Sequence, residues 1–167
     1  MAGEWIGVVG TVVGVVAGGS VTYYVTRAKI EHEEKLERNR RQLSKLETIH
    51  ALFSKITQQT NLMSINVIAN LADGITIDPK IMGDKLPLEE LQMHADIYIP
   101  EVSSKVNDIF NKWMDFGKVL AEVIMKPSIN DSERKDFILK SQEIALTIAR
   151  LCKEAKQIVV DKAKKHL

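Results

Sequence analysis

The chain has 167 residues, with 23 lysines and arginines against 22 aspartates and glutamates, four histidines and one cysteine. A formal net charge of +1 supplies no polycationic surface, so DNA and RNA are not expected as partners. A lone Cys152 excludes an internal disulfide, suits a reducing compartment, and falls among apolar helix positions as a small buried residue.

Trp5 to Thr26 reads WIGVVGTVVGVVAGGSVTYYVT and carries no formal charge. As a helix rising about 1.5 Å per residue, it reaches roughly 33 Å, enough to cross a hydrocarbon core of about 30 Å. One transmembrane helix is therefore expected within residues 1–26. No Lys or Arg precedes it, whereas Arg27, Lys29, Lys35, Arg38, Arg40, Arg41 and Lys45 follow. The positive-inside rule then predicts a single-pass protein of the inner (plasma) membrane, with its N-terminus outside and its C-terminal domain cytoplasmic. Membrane lipid is the first expected partner. Gly7, Gly10, Gly14 and Gly18 step by three or four residues along one stripe. Such a stripe lets a second backbone approach closely, which predicts a homo-oligomer associating through this helix.

Residues 27–42, RAKIEHEEKLERNRRQ, are charged on nearly every face. With no helix breaker and with Glu31–Lys35 and Glu34–Arg38 at i,i+4, they are expected to continue as a solvated juxtamembrane helix.

Residues 43–167 are expected to form the cytoplasmic domain. Leu43, Leu46, Ile49, Phe53, Ile56, Thr60, Met63 and Val67 step by three or four, one face of a long helix ending near Asp73–Gly74. GITIDPKIMGDKLP, at 74–87, reads as a loop. A helix from Pro87 presents Leu88, Leu91, Ala95 and Tyr98, and Pro100 ends or kinks it. The next carries Val102, Val106, Ile109, Trp113, Phe116, Leu120 and Ile124, with Phe110, Trp113 and Phe116 expected as its aromatic core. Asn130 and Glu133 have capping-box spacing ahead of a last helix carrying Phe137, Ile144, Ile148, Leu151, Ala155, Ile158 and Val159. The fold class is all-α: a transmembrane helix, a charged neck, and an antiparallel bundle of about four helices.

Neither a G-x-x-x-x-G-K-[ST] nor a G-x-G-x-x-G motif occurs, and the one glycine cluster lies in the apolar N-terminal stretch. His32, His50, His94 and His166 lack metal-ligand spacing, and Asp73, Asp78 and Asp84 do not follow a calcium loop. No nucleophile, base and orienter can be picked out, so neither an enzyme nor a cofactor or metal is expected. Met63, Met82, Met93, Met114 and Met125 suit either core gaps or a partner groove. Arg134, Lys140, Arg150, Lys153 and Lys156 stud the last helix as a candidate anion or ligand face, against the plainer reading of a solvated surface.

The glycine-rich start WIGVVGTVVGVVAGGS, the charged neck and the small helical domain together resemble membrane-anchored effectors of bacterial antiphage systems. These include the effectors of type III CRISPR signalling that respond to cyclic oligoadenylate. The resemblance implies a homo-oligomeric, membrane-perturbing effector controlled by a small nucleotide ligand at its cytoplasmic domain. The alternative is a membrane tether or scaffold whose bundle binds a cytoplasmic protein partner.

Overall fold

The computed structural model describes residues 2–73, 86–126 and 128–166, with side chains from Thr22 to Lys165 within those ranges. Its helices are α1 (Ala2–Ala72), α2 (Leu88–Tyr98), α3 (Pro100–Met125) and α4 (Asp131–Ala163), and a 3-10 turn follows at Lys164–His166. No strand occurs among the described residues. The chain divides into two compact units, Met1–Arg41 and Gln42–Leu167.

The expectation of a membrane-spanning helix is corrected: among the described residues, no helix is long and apolar enough to cross a membrane. The reason lies in the composition of the described part of α1. From Arg27 to Lys55 charges recur every few residues. Ile56–Ala72, its longest uncharged stretch, holds Thr57, Gln58, Gln59, Thr60, Asn61, Ser64, Asn66 and Asn70, too many polar groups for hydrocarbon. Residues 5–21 of the expected span, including Gly7, Gly10, Gly14 and Gly18, lie outside the described side chains.

In the first unit, every described side chain from Thr22 to Arg38 is exposed. A helix polar on all faces gains little from packing and depends on its own side-chain pairs. These are present: Arg27–Glu31 at 3.0 Å, Lys29–Glu33 at 3.9 Å, Glu34–Arg38 at 3.1 Å, and Glu37–Arg41.

The second unit is a four-helix bundle. Leu43 and Val160 share one cleft while Ile65 and Leu146 share another, so α1 and α4 run antiparallel. Glu101 meets Lys162, and Lys126 meets Glu133 at the opposite end, so α3 and α4 are antiparallel as well. The i+3/i+4 stripes supply the core in two clusters. One gathers Leu46, Ile49, Phe53 and Ile56 with Leu91, Ala95, Val102, Ile109, Ile148, Cys152 and Val159. The other gathers Met63, Val67 and Leu71 with Phe116, Leu120, Val123 and Phe137. Trp113 and Ile144 pack against both. Short α2 contributes only to the first.

One local expectation is revised and another is met. Phe110 is 47% exposed, because it sits about 100° round the helix from the buried stripe Val106–Ile109–Phe116. The aromatic pair is Trp113 stacked on Phe116, with ring centroids 5.5 Å apart. Pro100 follows the end of α2 at Tyr98, as expected, and also opens α3 at its first position, where no amide hydrogen is needed. Ile99 alone separates α2 from α3, at φ −146° and ψ 74°. The predicted capping box is present: Asn130 Oδ1 accepts from the Glu133 amide at 2.9 Å, and the Asn130 amide donates to Glu133 Oε2 at 3.2 Å.

Candidate functional site

The seam between α1 and α4 is the most distinctive surface of the bundle. On α1, positions 43, 47, 50, 54, 57, 61 and 65 recur at the helical period and form one stripe. On α4, positions 142, 146, 149, 153, 156 and 160 do the same. A cleft of about 400 Å³ opens at one end of the seam, lined by Leu43, Leu46, Glu47, His50, Val159, Val160 and Ala163. A second, of about 440 Å³, opens near the other end between Asn61, Ser64, Ile65, Gln142, Ala145 and Leu146. Between them the helices close together at Cys152 and Thr57. Burial pushes the Cys152 thiol up, opposed by a hydrogen bond with Thr57 and by the Lys156 charge.

Small buried polar residues line the interior side of this crossing. Thr60, Ser64 and Ser141 are all buried, and the Thr60 and Ser141 hydroxyl oxygens have no side-chain partner. Their size lets the helices approach where larger residues would hold them apart.

A third cleft, of about 370 Å³, lies between α3 and α4 and is charged. Lys112, Lys118 and Lys140 face Asp115, Glu122 and Glu143 there. Asp115 is shared by Lys118 at 3.1 Å and Lys112 at 3.4 Å, and these hydrogen bonds hold its carboxyl below the usual range. Lys112 and Lys118 are therefore engaged by Asp115 rather than presented to an anion.

The five cations of the candidate anion face do not converge. Arg134 pairs with Asp131 and Arg150 with Glu154, each within α4. Lys140 lies 5.8 Å over the Phe137 ring and lines the α3/α4 cleft. Lys153 and Lys156 fall on the seam stripe between the two apolar clefts. Gly7, Gly10, Gly14 and Gly18 lie outside the described side chains, as do Met82, Asp78, Asp84 and His166.

Of the other candidates, Met63 is buried in the core, while Met93, Met114 and Met125 are exposed. His94 stacks on Tyr98 with centroids 5.9 Å apart, and its Nε2 lies 4.0 Å from Glu90. Among the described residues, no group of three His, Cys, Asp or Glu side chains is placed to hold a metal.

A second stripe on α1 was not read from the sequence. Ala51, Lys55, Gln58, Leu62, Ile65, Ala69 and Ala72 are all exposed. They step by three and four like the buried stripe, so the signal was available as a second apolar periodicity on the same helix. No family model matches this chain, and no curated protein or solved structure does either.

Proposed function

We propose that the chain is a non-enzymatic scaffold whose bundle binds a protein partner through the cleft at the Leu43–Val160 end of the α1/α4 seam. One observation carries this reading: half-buried Leu43 and exposed Val160 form the rim of an opening whose floor is buried Leu46 and Val159. Glu47 and His50 supply the polar groups at that opening. An apolar floor between two helices, edged by a few polar groups, suits one or two apolar anchors of a partner helix. A carboxylate and an imidazole would fix its orientation more than its affinity.

A photoactivatable benzoylphenylalanine at Val160 of the full chain, irradiated in the native host, tests this. The expected result is a discrete adduct with a second protein that disappears when Leu43→Glu is added. The same probe at Met125, 81% exposed at the far end of α3, should not give that adduct. Absence of any adduct at Val160, or one identical to that at Met125, would overturn the reading.

A further inference from the structure

We infer that a second copy of this chain docks antiparallel on the outward stripe of α1 between Lys55 and Ala72. The bundle uses one stripe of this helix and leaves the other bare. Leu62 and Ile65 stand at its middle, with Ile65 60% exposed. Leu146, 71% exposed, lines the same cleft as Ile65 and widens the apolar face onto α4, where Leu139 lies one heptad before it. Single exposed leucines are ordinary, but Leu62, Ile65, Ala69 and Ala72 follow one another at the alternating three- and four-residue steps of a helix-pair seam.

Three features select a copy of the same chain. First, Ile56–Ala72 carries no formal charge on any face, although charges recur throughout Arg27–Lys55. Across a two-fold axis every charge near the centre meets its own like, so an uncharged centre suits self-pairing. Second, the exposed polar side chains there, Gln58, Asn61 and Asn66, are amides. Each is both donor and acceptor, so Asn61 of one copy can bond Asn66 of the other without a mismatch of charge.

Third, the ends match only when the helices run in opposite directions. With Leu62 against the partner copy's Ile65 position, Gln58 falls opposite Ala69 and Lys55 opposite Ala72. The Lys55 stem then lies over a methyl group, and its ammonium reaches toward the neighbouring Asp73 carboxylate. Neither Lys55 nor Asp73 has an ion pair among the described residues. A parallel pairing would set lysine against lysine. The stripe from Lys55 to Ala72 is about 26 Å long. With α4 beside it the face is two helices wide, at roughly 8–10 Å between axes. That footprint, on the order of 500 Å², is below the about 800 Å² each partner gives to a standard stable interface and suits a weaker, exchanging dimer. The inference stands apart from the cleft at Val160, which lies at the other end of the seam.

The test uses the full chain with buried Cys152 left in place. Lys55→Cys and Ala72→Cys variants are mixed, oxidised and run on a non-reducing gel beside each variant alone. The expected result is a mixed disulfide dimer, no self-dimer from Lys55→Cys, and loss of the mixed product on the order of tenfold when both carry Ile65→Glu. Circular dichroism of Ile65→Glu should match the parent. Absence of the mixed product, its persistence with Ile65→Glu, or self-pairing of Lys55→Cys would each overturn the proposal.

Discussion

Lys105 on α3 and Glu154 on α4, 49 positions apart in the chain, meet at 2.6 Å, and Arg150 reaches the other oxygen of the same carboxylate at 2.9 Å. Two turns further along, Lys162 donates to Glu101 at 2.8 Å. The Lys105 hydrogen bond holds the Glu154 carboxyl below the usual carboxylate range, and the Lys162 hydrogen bond does the same for Glu101. Because these folded values lie below the unfolded ones, the stabilisation is present above the ordinary glutamate range. It fades as pH falls through the folded values. Urea midpoints should therefore drop from pH 6 to pH 3, and drop less in Glu101→Gln/Glu154→Gln. An equal drop in that variant would show that other groups drive the acid sensitivity.

The two phenylalanines of α3 should behave in opposite ways. Phe116 is fully buried and stacked on Trp113. Phe116→Ala is expected to destabilise the bundle by about 3–5 kcal/mol through lost burial and the cavity left behind. Phe110→Ala, on the exposed side, should change stability by less than about 1 kcal/mol. Chemical denaturation of both variants checks the contrast.

Asn130 opens α4 by accepting from the Glu133 amide, while Glu133 returns to the Asn130 backbone and also accepts from Lys126 at 2.8 Å. Asn130→Ala should lower stability by about 1 kcal/mol, and Asn130→Ser by much less, since a hydroxyl still caps. Equal losses would mean that the side chain acts through something other than the cap.

The exposed helix of the first unit relies on ion pairs each worth about 0.2–0.5 kcal/mol. Replacing Glu31, Glu34 and Glu37 together by lysine converts three of its attractions into repulsions. The helical signal of the full chain at 222 nm should fall while the bundle's unfolding midpoint stays unchanged. Salt should weaken the parent's helix and partly restore the variant's, because screening acts on both signs.

Cys152 is fully buried and its thiol is pushed up, so it should resist thiol reagents at neutral pH. A reagent titration should find it unreactive in the native chain and fully reactive in denaturant. Rapid native labelling would place the α1/α4 crossing open to solvent.

Much of the bundle was legible because burial and periodicity coincide in helices. Leu46, Ile49, Phe53, Ile56, Thr60, Met63 and Val67 step around one face of α1, and all are buried. Phe110 stands outside the core because angular position on the helix, not aromatic character, decides burial. The Lys105–Glu154 contact carries no local signal, since its partners meet only after α3 and α4 pack. Among the candidate anion residues on α4, Arg134 and Arg150 also meet Asp131 and Glu154 of their own helix, pairs that i,i+3 and i,i+4 spacing makes available. The bare stripe of α1 is harder to read in the sequence because the buried face alone already accounts for an amphipathic helix.

The single-residue corner at Ile99 bears on how this fold tolerates change in length. The Ile99 amide still donates to Ala95 at 2.8 Å, and its carbonyl already accepts from Val102 at 3.0 Å. The corner thus has no slack, and Pro100 fixes the exit direction. One inserted residue would turn α2 by about 100° against α3 and swing Leu88, Leu91 and Ala95 out of the core. Descendants of this chain should accumulate insertions elsewhere and keep this junction at constant length, a bias visible in any deep mutational scan that includes single-codon indels.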